Sequence, residues 1–133
     1  IKVEDIKNAP DKSYINYKII NVDSRDKTVV KGFSIRDKII YLLCNDFSDD
    51  EKGYENLYVL SIDSDTGLYK EIYKKKVLFS EQSDPEIFST DEHIFIYEYS
   101  KDYEKICITR INRDGSNPVL IIDENGEIVM KPL

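Results

Sequence analysis

The chain has 133 residues, 34% of them charged, and a formal net charge of −7. That length points to one domain with a single core, burying about two-thirds of the unfolded chain's surface. The acidic balance gives a surface that repels phosphate backbones and anionic membranes, which argues against a nucleic-acid partner. Apolar runs such as IIYLLC from Ile39 and VLII from Val119 fall far short of the roughly 18 residues of a membrane span. No leader pattern stands at Ile1, so any export signal is expected to have been removed or never to have been included.

Period-two alternation rich in β-branched and aromatic residues runs through the chain, without a convincing helical stripe, so the class is all-β. In chain order it predicts strands at Ile15–Val22, Thr28–Phe33, Lys38–Cys44, Leu57–Ile62, Tyr69–Lys75, Glu86–Ser89, His93–Tyr99, Ile106–Ile111, Pro118–Ile122 and Glu127–Met130. Asp65-Thr66-Gly67, Asp114-Gly115-Ser116-Asn117 and Glu124-Asn125-Gly126 supply residues that tolerate positive φ at the tips of antiparallel hairpins.

The chain also repeats itself. FSIRDKIIYLLC from Phe33 lies over FSTDEHIFIYEY from Phe88, and YENLYVLSIDSDTGLYKEIY from Tyr54 lies over YEKICITRINRDGSNPVLII from Tyr103. A partial copy, YKIINVDSRDKTVV from Tyr17, matches the hairpin containing Asp63. A period of about fifty residues marks an array of supersecondary units. Each copy reads as four consecutive antiparallel strands, the order of a propeller blade.

The expected division is a partial blade over 15–32, blades over 33–83 and 84–126, and a last strand over 127–130. The inner strands are densely apolar, whereas Lys70, Lys74, Lys75 and Lys76 lace the fourth strand and are expected on a solvated outer edge.

The segment ICITRINRDGSNPVLIID from Ile106 resembles the strand, R-x-N-x-D-G-S-N, strand hairpin of lipoprotein-receptor-type and TolB-like β-propellers. NLYVLSIDSDTG looks like its neighbouring copy, and the resemblance covers about residues 15–130. The composition is similar to bacterial surface proteins with uncharacterised propeller-like repeats. The resemblance implies an extracellular or cell-surface setting, with a cytoplasmic one as the alternative. Tryptophan is absent, so the receptors' Tyr-Trp-Thr-Asp strand motif is missing and receptor-like ligand binding does not follow.

A ring needs about four to eight blades. The chain is therefore expected to belong to a longer propeller, to complete a ring by self-association, or to form an open stack with capped ends.

Chemistry-bearing patterns are sparse. Asp63-Ser64-Asp65-Thr66-Gly67 gathers carboxylates on a tight loop as calcium sites do, but its glycine comes one place early for an EF-hand and Glu71 lies too close to be the last ligand. It reads first as a hairpin turn, and no cofactor is expected beyond that calcium alternative. Cys44 and Cys107 read as buried thiols, with a single disulfide between them as the alternative, and a zinc site would need a carboxylate beside the single His93. No Gly-x-Ser-x-Gly elbow or phosphate loop is present, so no catalytic residue is proposed.

Tyr41, Tyr58 and Tyr97, with apolar neighbours, are expected to fill space between blades. The long acidic loop from Asp46 to Glu51, the connection from Phe79 to Asp84, and the loop through Lys101 and Asp102 fall on one expected rim. The candidate binding residues on it are Asp46, Phe47, Asp49, Tyr54, Glu81 and Tyr103. The leading expectation is a non-catalytic binding or scaffolding module for a protein or carbohydrate ligand. The alternatives are a propeller accessory to a hydrolase domain and a calcium-stabilised lectin-like module.

Overall fold

The structure, a computed structural model, describes residues 29–46, 53–78 and 84–133. The expected strand at Ile15–Val22 lies outside them. Among the described residues every regular element is a β-strand. Strands β1 (Val29–Arg36), β2 (Ile39–Asp46), β3 (Tyr54–Asp63) and β4 (Tyr69–Leu78) form an antiparallel sheet in that order. Strands β5 (Glu86–Ser89), β6 (His93–Tyr99), β7 (Ile106–Asn112), β8 (Val119–Ile122) and β9 (Ile128–Pro132) form a second, also in chain order. Neither sheet closes on itself. The strands expected from Thr28 onward are all present, β5 and β6 with the expected ends and the others with ends shifted, and the last joins the second sheet at its β8 edge.

The two sheets stack. Successive side chains on a strand point to opposite faces, so each sheet has a front and a rear. The front of the first sheet carries Tyr41, Leu43, Leu57, Val59 and Val77, which pack in one cluster with Ile94, Ile96 and Ile111 from the rear of the second. The rear of the first sheet, with Ile40, Leu42, Cys44, Tyr58, Leu60 and Ile62, is buried as a separate cluster. Each such side chain contributes about 2 kcal/mol on leaving water, and their convergence makes the front-to-rear contact the core of the molecule.

Matching the two repeats by sequence places Ile39 over Ile94, but the pairing places Ile39 opposite Asp63 and His93 opposite Asn112. The structural equivalent of Ile40 is therefore Ile94, one residue out of step. The turns explain the slip. β1 and β2 are joined by the two residues Asp37 and Lys38, at φ 51° and 65°, whereas the last pair between β5 and β6 is Ser89 with Ile94. There Thr90 folds the longer loop, its Oγ1 accepting from the amides of Glu92 and His93.

A one-residue slip exchanges the faces of a strand. Ser34 consequently points forward and Ser89 backward, and their hydroxyls hydrogen-bond across the stack. For the same reason Tyr41 and Tyr58 are buried as expected, whereas Tyr97 lies half-buried on the outward front of the second sheet.

A second irregularity redirects β4. Val59 pairs with Tyr73 and Leu60 with Glu71, so Ile72 is an extra, bulged residue. Beyond it Tyr73, Lys75 and Val77 turn toward the second sheet. Lys70, Lys74 and Lys76 are exposed as expected of an outer strand, but Lys75 is not, which corrects the expectation for that residue.

The turn between β7 and β8 closes over this bulge. Gly115 sits there at φ +89°, where a Cβ would lie 2.0 Å from the Ile72 carbonyl oxygen. Beside it the Arg113 guanidinium donates from Nε to the Tyr41 hydroxyl at 2.8 Å, from Nη1 to Asp37 at 2.8 Å and from Nη2 to the Arg36 carbonyl at 3.2 Å. Arg36 returns the contact, donating to the Ser89 carbonyl at 2.9 Å and pairing with Asp91. The hairpin-tip end of the stack is thus clamped by two arginines.

Candidate functional site

The other end is built differently. There β2 ends, β3 begins at Tyr54 opposite Leu78, and β6 passes through Tyr99 and Ser100 into β7. Of the six candidate residues, Asp46, Tyr54 and Tyr103 fall at this end; Phe47, Asp49 and Glu81 lie outside the described residues.

Asp46 is not a surface group. It is 1% exposed and accepts from Asn56 Nδ2 at 2.9 Å, while beside it Asn45 Nδ2 donates to Glu55 Oε1 at 2.6 Å. These four polar side chains, all buried, fasten the last pairs of β2 and β3. Burial pushes the Glu55 carboxyl up and Asp46 adds to this, against the pull of Lys31 and the Asn45 bond. Glu55 Oε2 and Asn45 Oδ1 have no hydrogen-bond partner among the described residues. Asp46 therefore fastens the ends of β2 and β3 from beneath.

Tyr103 is 63% exposed at φ +62° and rests against Tyr99, with ring centres 5.8 Å apart. Its loop is ordered by Asp102, which accepts from the Ser100 hydroxyl and from the Glu104 amide; those bonds hold the Asp102 carboxyl below the usual range. Tyr54, at 36% exposure, heads the equivalent strand.

Between β4 and the β6–β7 end the sheets part, leaving a cleft of about 740 Å³. Its walls include Lys75, Lys76, Glu98, Lys101, Asp102, Glu104, Lys105, Cys107 and Glu124. At its base Lys75 Nζ meets Glu98 Oε2 at 2.8 Å, with Glu98 4% exposed. Burial pulls the Lys75 ammonium down, but the facing Glu98 carboxylate more than offsets this and its pKa is raised. Burial, helped by Glu98, pushes the Cys107 thiol up to about 11. Tyr73 beside them is also raised, chiefly by burial. The groups that could act as nucleophiles are held as ammonium, thiol and phenol, and Cys44 and Cys107 form no disulfide.

The Asp63 hairpin is a turn held by its own carboxylate, which accepts from the amides of Asp65 and Thr66; those two bonds hold the Asp63 carboxyl low. Among the described residues no group of three or more His, Cys, Asp or Glu side chains is placed to hold a metal ion.

The sequence reading missed the cleft. Lys75 was hidden in a run of four outer-strand lysines, and the bulge that turns it inward leaves no residue signature. Glu98 carried a readable signal, being a carboxylate inside the apolar run HIFIYEY.

No family model matches the chain, and neither a curated protein nor a solved structure is significantly similar to it.

Proposed function

We propose that the chain is a non-catalytic binding or scaffolding module assembled from propeller-type repeats, which holds a protein segment carrying charges of both signs in the cleft beside Tyr103. The stacking supports the architecture: the leading strand of one sheet, β1, lies against the leading strand of the next, β5, as successive blades do. The observation that carries the binding reading is the cleft itself. It is lined by lysines and carboxylates in near balance around a satisfied ion pair, flanked by the exposed Tyr103 against the half-buried Tyr99, and its potential nucleophiles are in unreactive forms. Mixed charge confers specificity and steering more than raw affinity, while an exposed aromatic supplies contact area.

The test immobilises the chain and offers arrays of charged peptides and of oligosaccharides. Binding of peptides that is lost in Lys105→Glu and in Tyr103→Ala, yet kept in Lys70→Glu at the opposite end of β4, supports the reading. Binding unchanged in the first two variants refutes it, and selective binding of oligosaccharides replaces the ligand class.

A further inference from the structure

The stack is finished at one end and unfinished at the other. The rear of the first sheet is closed, with Ile40, Leu42 and Ile62 at 0% exposure. The front of the second sheet is open. Its rows, read from the strand pairing, are Phe88, Phe95 and Arg110, then Glu86, Tyr97 and Ile108, then Tyr99 and Ile106. Val119 and Ile122 continue the first two rows onto β8. Along β6 the rear residues Ile94, Ile96 and Glu98 are buried while the front residues His93, Phe95, Tyr97 and Tyr99 are not, and Phe88 is 50% exposed. The corresponding face of the first sheet is the one buried against the second.

We propose that this face binds the same face of a second copy, making a two-fold dimer. Three observations select a copy in this arrangement. The rear of each stack is already buried, so a copy cannot dock front-to-rear and grow into a filament; contact through the open face is self-complementary and stops at two. The face is almost free of charge in a chain of net charge −7, so like copies meet without the repulsion that their remaining surfaces carry.

Its size also fits. Five strands about 4.8 Å apart and some 20 Å of strand length give about 500 Å² per copy, or about 1,000 Å² in all, which is the lower bound of a specific interface. The dimer is therefore weak and concentration-dependent.

The charges choose its orientation. A two-fold axis along the strands would lay Arg110 on Arg110, since each row then faces itself. An axis across the strands exchanges the first two rows while each strand still faces itself, so it lays Arg110 on Ile108 of the partner subunit and keeps the two Arg110 side chains apart. This inference rests on the stacking and not on the cleft, so either can fail without the other.

Sedimentation equilibrium of the intact chain from about 5 to about 500 µM tests it, a range that brackets weak association. The expected result is an average mass rising from 15.6 kDa toward twice that value, and at least tenfold weaker association in Phe88→Glu. Phe88 is half exposed, so Phe88→Glu keeps the fold, which circular dichroism verifies. A constant monomer mass at every concentration overturns the proposal. So does a dimer unaffected by Phe88→Glu.

Discussion

Gly115 occupies the point where the β7–β8 turn meets the bulge in β4, and the substitution Gly115→Ala measures how firmly the sheets are joined. At φ +89° the new methyl would lie 2.0 Å from the Ile72 carbonyl oxygen, 2.8 Å from its carbon and 2.9 Å from the Ile72 Cβ. Carbon and oxygen come no closer than about 3.3 Å in ordinary contact, so turn and strand must separate by more than about 1 Å. The left-handed backbone costs alanine about 1–2 kcal/mol and the overpacking about 1–3 kcal/mol. The stiffer unfolded chain offsets about 0.4–1 kcal/mol, leaving a net loss of about 2–4 kcal/mol.

Gly126 is the matched control, because it has φ +79° and nothing within 4 Å of its added methyl. Gly126→Ala carries the backbone cost alone and should lose about 1 kcal/mol or less after the same offset. Urea unfolding of both variants at one temperature isolates the clash as the difference between them, about 1–3 kcal/mol. Equal losses in the two variants would show that the turn is not seated on β4 and would remove the contact on which the stacking geometry leans.

Other consequences follow from the buried polar groups. Glu55→Gln should stabilise the chain at neutral pH by about 1–2 kcal/mol, since an amide can donate where Asn45 Oδ1 lacks a partner. The sign follows from burial, which raises the Glu55 pKa in the folded state. The folded chain then binds the proton more tightly, stability is lost as pH rises through that folded value, and the advantage of Glu55→Gln should vanish below the ordinary carboxylate range; thermal melts across pH check this.

Removing one member of the ion pair by Lys75→Met strands Glu98 and should cost about 2 kcal/mol. That is less than for a fully enclosed pair because the Lys75 side chain keeps 32% exposure. Lys75→Met/Glu98→Leu should recover most of the loss, and denaturant midpoints report both. With its thiol pushed up to about 11, Cys107 should alkylate with iodoacetamide at pH 8 roughly 100-fold more slowly than an unperturbed thiol; peptide mass mapping reads the rate.

The strands were legible because each runs as a short alternating segment between turn residues that tolerate positive φ, as at Gly67 and Gly126. Which way their side chains point was not legible in the same way. It depends on parity, and parity is set by one residue more or less in a turn or a bulge. The loop closed by Thr90 turns Ser89 to the rear of its sheet, and the bulge at Ile72 turns Lys75 into the cleft; neither changes the composition of its strand. The candidate site was legible as a rim, through Tyr54 and Tyr103 heading equivalent strands. The burial of Asp46 was not legible, because its partner Asn56 stands ten residues away, across a hairpin whose pairing register had to be known first. Gly115 reads as an ordinary turn glycine; only the approach of β4 makes it irreplaceable.

The front-to-rear stacking of the two repeats is tested most directly by joining them. Ser34 and Ser89 meet hydroxyl to hydroxyl across the stack, so Ser34→Cys/Ser89→Cys places two sulfurs within bonding reach. Under mild oxidation we expect near-complete formation of that cross-link, identified by peptide mass mapping against Cys44 and Cys107, with a gain of about 4 kcal/mol in stability. Two thiols that stay free and fully alkylatable in the folded double variant would contradict the stacking.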